Sequence, residues 1–264
     1  MVRLHVIGAA PWASTGYFLK TLLAAHALKL FMSMMNLRAT LCAIVIVCLC
    51  PSAQALQTPA SYVKLRTQLR EERPSLRRAF YRAPRKERYR RLEAALLQRI
   101  DVLHKQWVGS RWGLGLPQST VPFKGKTNCG LFVAVVLRDA GFNLPIWKFN
   151  RQASYHGNKS LAPRRTRRYF KRAPMKRFLS VVRSLGPGLF LIGLDFHTGF
   201  LRVQPNGEVR FIHASYETRK VVDEPAATAG PIVTSKNRVI GKILQREMLR
   251  WWLKRKRIHV YGNR

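Results

Sequence analysis

Three side chains in this 264-residue chain could share one reaction: Cys129, His197 and His213. Cys129 follows Gly125 and Asn128. It opens a run in which Leu131, Phe132, Val135 and Val136 fall at helical spacing, with Gly141 as a stop signal and Pro145 just beyond. The thiol therefore stands in the first turn of a buried helix. Free N–H groups and the helix dipole at that position favour a thiolate and lower a thiol's pKa. Such a thiolate is a nucleophile if an imidazole shares its proton and a third group orients the imidazole. A lone cysteine ahead of an apolar helix is also an ordinary small core residue, so the histidines decide the matter.

Both histidines fall on a strand pair. Residues 189–203 read as one long central strand, apolar on both faces, that carries Asp195, His197 and Gly199. Residues 208–216 read as a second strand. Between them, Pro205, Asn206 and Gly207 suit a three-residue hairpin loop, a type I turn followed by a left-handed glycine. In that register Gln204 faces Glu208, His213 faces Gly199 and His197 faces Ser215. The two histidines then share a sheet face within side-chain reach, and Gly199 leaves space opposite His213. A two-residue Asn-Gly turn would put them on opposite faces instead. On the first register His197 is the base and His213 its orienter, with Asp195, on the face of His197, as the alternative orienter. Backbone N–H groups at the helix start, that of Cys129 included, would receive an oxyanion, with Asn128 and Gly130 as supports. A metal site from His197, His213 and Asp195 would lack any specific ligand spacing. His104, His156 and His259 lie in more polar contexts and are given no role.

The elements that must position these groups are less evenly legible. Leu92, Leu96, Ile100, Leu103 and Trp107 recur at steps of three and four in a helix beginning near Pro84. Residues 56–82, Arg-rich and broken by Pro74, read as weak helix or a loose arm. Residues 108–128 are a loop that delivers the chain to Cys129. Residues 148–174 form a basic stretch, 175–185 a short helix, and 217–235 a looser segment with a strand near Ile232 and Val233. Residues 239–253 read as a helix with Ile243, Leu249 and Trp252 facing the core, followed by a basic tail at 254–257.

Composition restricts partners and compartment. Lys and Arg number 48 against 12 Asp and Glu, a net charge of +36. A chain this basic meets anionic partners. From Met35, a short positive segment, an apolar run over 39–50 and a small-residue site ending at Ala55 read as a secretory signal cleaved after Ala55. The apolar run is short for a membrane span, so a membrane contact would come only through this segment if it stays uncleaved. Cys42, Cys48 and Cys50 lie in that run, which leaves Cys129 as the single mature thiol and excludes an intramolecular disulfide or a Cys-based zinc site. Export sets nucleic acid aside as a partner, and no nucleic-acid motif is present.

Residues 127–133, with Asn128-Cys129-Gly130, resemble the nucleophile region of NlpC-type papain-like peptidases. Residues 188–201, with His197 and Gly199, are similar to that family's histidine strand, and Phe211-Ile212-His213 to its third-residue motif. The resemblance covers about residues 125–216. It implies an α+β papain-like core in which a Cys-bearing N-terminal helix packs on an antiparallel sheet carrying His. It also implies hydrolysis of amide bonds in bacterial peptidoglycan peptides by a Cys-His-His triad, with no cofactor. The family's usual Gly-Asp at the histidine strand is Gly188-Leu189 here, and its Ser-Gly after the nucleophile is Gly130-Leu131. The expected organisation is a leader over 1–55, a basic helical extension over 56–107 and a catalytic domain over 108–264. The expected place is the periplasm or the extracellular cell wall, on peptidoglycan or another anionic envelope polymer. A non-catalytic polyanion- or wall-binding protein that keeps the fold is the alternative.

Overall fold

The computed structural model describes residues 57–262; the leader and signal reading over 1–55 lies outside them. Residues 59–82 form a continuous helix, α1 (Pro59–Arg82), where weak helix or a loose arm was expected. Thr58 and Ser61 cap it reciprocally, and Pro74 sits inside it. Tertiary packing outweighs the proline, because Tyr62, Leu69, Arg73 and Phe80 are buried. Helix α2 (Arg88–Lys105) then buries the predicted stripe of Leu92, Leu96, Ile100 and Leu103.

The cysteine helix α3 (Cys129–Asp139) is followed by α4 (Ile146–Asn150), α5 (Ser154–Leu161), strand β1 (Arg167–Lys171) and α6 (Met175–Ser184). The supposed single strand over 189–203 is a hairpin, β2 (Gly188–Gly193) and β3 (Thr198–Val203), joined by a turn in which Leu194 N–H donates to His197 O at 2.8 Å. Next come β4 (Val209–Ser215), β5 (Lys220–Pro225), α7 (Gly230–Thr234), β6 (Asn237–Lys242) and α8 (Arg246–Lys254). The strand expected near Ile232 is thus helix α7. The helix expected over 239–253 divides into a strand and a helix, because Val239, Ile240 and Gly241 pair with both β1 and β2. Ile243, Leu249 and Trp252 are nonetheless buried.

The described residues thus form an α+β fold: one six-stranded antiparallel sheet, ordered β1-β6-β2-β3-β4-β5, with eight α-helices. Both faces of the sheet are covered. Leu189, Leu191, Phe200 and Ile212 join a core with α1, α2, α3 and α8. Phe190, Ile192, Leu201 and Phe211 join a second core with α6 and α7. A sheet covered on both faces needs apolar residues at successive positions, hence the continuous apolar runs. A column of edge-on rings crosses the first core, Tyr62 to Trp107 at 5.7 Å, Trp107 to Phe132 at 6.1 Å and Phe132 to Phe200 at 6.1 Å. It runs from α1 through α3 to β3. No helix among the described residues is long and apolar enough to cross a membrane.

Candidate active site

Asn128 caps α3: its Oδ1 accepts from Leu131 N–H at 2.9 Å. The carboxamide oxygen is thereby committed to the helix, while the N–H groups of Cys129 and Gly130 remain at the thiol. Gly130 is required for close approach. A Cβ there would stand 2.8 Å from Asn150 Oδ1 and 3.2 Å from its backbone, so only glycine lets α4 lie against the first turn of α3.

The histidines come together through the predicted hairpin. Gln204 N–H donates to Glu208 O at 2.9 Å, Gly207 has φ +83°, and Phe200 faces Ile212 in the ladder. His197 Nε2 lies 2.7 Å from His213 Nδ1. The space at Gly199 is occupied by the site itself: a Cβ there would come within 2.8 Å of both His213 Cβ and Ile212 O. Phe211 stacks on the His213 ring at 3.9 Å.

His213 Nε2 in turn lies 2.8 Å from Glu224 Oε1 on β5. Phe211 faces Glu224 in the ladder, and the carboxylate reaches diagonally to His213. Glu224 escaped the sequence reading because the β4–β5 connection, Tyr216 to Arg219, has none of the usual turn residues; Arg219 instead adopts φ +60°. The carboxylate sets the tautomers. Glu224 accepts from His213 Nε2–H, so His213 Nδ1 accepts from His197 Nε2–H. His197 Nδ1 is then the basic nitrogen, free to take a proton.

Asp195 does not orient His197. Its carboxylate accepts from Lys236 N–H at 2.7 Å, Asn237 N–H at 3.2 Å and Asn237 Nδ2 at 2.8 Å. These contacts hold the β2–β3 turn against the start of β6, a bracing role that appears once the turn divides the expected long strand.

Cys129 and His197 line one cleft of about 280 Å³, with Asn128, Gly130, Phe149 and Thr198. Leu114 and Phe196, 70% and 95% exposed, stand at its rim. In a chain of net charge +36, no Lys or Arg lines this cleft among the described residues. Gln152 also lines it, and its Nε2 is buried without a hydrogen-bond partner. It is a buried donor left unsatisfied, and nothing in the sequence around it signals this. Among the described residues no three His, Cys, Asp or Glu side chains group as a metal site.

Electrostatics depart from expectation. Burial pushes the Cys129 thiol up, against the opposing pull of the Thr198, Gly130 and Cys129 N–H groups. Burial, with the neighbouring His213, lowers His197 to about 3. Burial holds His213 at about 3 as well, although Glu224 at 2.8 Å favours its charged form. At rest the thiol and both imidazoles are therefore neutral, because desolvation outweighs the helix terminus. His104, expected in a polar context, is also buried and bonds Ile100 O. Neither a scan against protein-family models nor a search of curated proteins finds a match to this chain.

Proposed function

We propose that the chain is an exported papain-like cysteine hydrolase of NlpC type, acting on amide bonds in peptidoglycan peptides of the periplasm or cell wall. The observation that carries this reading is the relay in which His213 lies 2.7 Å from His197 and 2.8 Å from Glu224, with His197 and Cys129 lining one cleft. Nothing in simple packing calls for two buried imidazoles and a carboxylate in series.

In this mechanism Cys129 Sγ attacks the amide carbonyl as its proton passes to His197 Nδ1, so that charge develops only during attack. N–H groups at the start of α3 receive the oxyanion. His197 returns the proton to the departing amine. Water, activated by the same nitrogen, then hydrolyses the acyl-thioenzyme. Glu224 and His213 fix the tautomer that leaves Nδ1 unprotonated, and Glu224 offsets the charge of the imidazolium as it forms.

A second reading, a non-catalytic wall-binding protein that keeps this fold, is favoured by one observation: burial raises the Cys129 thiol. Release of new amino groups from purified peptidoglycan separates the two. The hydrolase reading expects release by the wild-type chain and a loss of at least about a thousandfold in Cys129→Ala, as for removal of a nucleophile. Equal release by both proteins ends that reading.

A further inference from the structure

At the end of α3 remote from Cys129 lies a second concavity, about 460 Å³, larger than the catalytic cleft. Five guanidinium groups border it: Arg66, Arg70 and Arg73 of α1, Arg138 in the last turn of α3, and Arg255 just past α8. Helix α3 has 11 residues, which puts its two ends about 16 Å apart at the helical rise.

The cations here exceed their partners. Asp139, the carboxylate that borders the cavity, is already engaged. Tyr62 Oη donates to it at 2.7 Å, Arg138 donates to both its oxygens, and Arg66 lies 3.9 Å away. Arg73, only 7% exposed, donates to Trp252 O and lies over that indole ring. Arg70 and Arg255 have no carboxylate partner among the described residues.

This crowding opposes the fold. Arg66, Arg70, Arg73 and Arg77 follow one another at steps of four, three and four on one face of α1, where like charges repel. Burial, then the charges of Arg255, Arg77 and Arg99, hold the Arg73 guanidinium below its ordinary range. Arg255 occupies a left-handed position, φ +52°, that favours glycine at a helix end. An anion in the cavity would offset the repulsion among the arginines that border it. Planar guanidinium forks, of which those of Arg70 and Arg255 have no carboxylate partner among the described residues, match the oxygens of a tetrahedral oxyanion.

We propose that this cavity binds a compact phosphate anion, a phosphate or pyrophosphate group, free or carried on an envelope polymer or lipid. The site is independent of the hydrolase reading, since none of its five arginines lines the catalytic cleft.

The test is calorimetric titration of the full chain with inorganic phosphate and pyrophosphate at constant ionic strength. The expected result is saturable binding at one site. It should weaken at least tenfold in Arg70→Gln/Arg255→Gln and stay unchanged in Lys176→Gln/Arg177→Gln, which removes equal charge from exposed residues outside the cavity. Arg70→Lys/Arg255→Lys, which keeps the charge and loses the forks, should fall between. Parallel arms with phosphatidylglycerol vesicles and with soluble polyphosphate identify the carrier by whichever depends on Arg70 and Arg255. Non-saturating binding, equal weakening by the two Gln pairs, or duplex DNA displacing pyrophosphate at lower concentration would overturn the proposal.

Discussion

A neutral thiol and a neutral imidazole respond to pH differently from a preformed ion pair. With His197 lowered to about 3 and Cys129 raised, neither group changes charge near pH 6.5. The rate of Cys129 alkylation by iodoacetamide should therefore climb through one transition, above the ordinary thiol value of about 8.5. A plateau reached near pH 6 would show instead that a thiolate–imidazolium pair exists at rest. The carboxylate behind the relay carries a second prediction. On the proposed mechanism, Glu224→Gln keeps an acceptor for His213 Nε2 but removes the charge that would stabilise the imidazolium. The expected loss is about tenfold or more in kcat with KM little changed, one pKa unit on the base being worth about that factor. Equal rates in the two proteins would reduce Glu224 to a packing role.

Hairpin geometry connects these residues to the fold. Pro205, Asn206 and Gly207 set the register that brings the imidazoles together, and Gly199 leaves them room. Gly199→Ala would drive a Cβ against His213 Cβ and Ile212 O at 2.8 Å. Overpacking of this kind costs about 1–3 kcal/mol, so thermal melting should move down and activity should fall with it. An alanine variant of unchanged Tm and activity would mean that the strands part easily. The same elements explain what could be read in advance. The helix start at Cys129 and the register that puts both histidines on one sheet face were legible because turn chemistry and helix-stop signals flank them. Glu224 was not, since β5 reads Lys-Val-Val-Asp-Glu-Pro, without alternation. Strand β6 was hidden because Val239, Ile240, Ile243 and Leu244 fall at spacings that fit a helical period equally well. Helix α1 was hidden by Pro74 and by a core contribution of four widely spaced side chains.

Across the whole molecule, charge and chemistry occupy different places. Among the described residues no Lys or Arg lines the cleft, whereas the chain carries a large positive excess. On the proposed function, attraction to an anionic polymer would act on encounter, over distances that salt screens within about 8–10 Å at physiological strength. Raising the salt concentration should increase KM for intact peptidoglycan and leave turnover of a small neutral amide unchanged. A parallel decline for both substrates would place the salt effect inside the cleft. The column of rings from Tyr62 through Trp107 and Phe132 to Phe200 also bears on how the protein can be produced. A fragment beginning at residue 108 would omit two of its four rings and strip the α1–α2 cover from the cysteine helix. Such a fragment should come out of expression as an insoluble product. Any shortened version intended for crystals or assays should keep the chain from Thr58 onward.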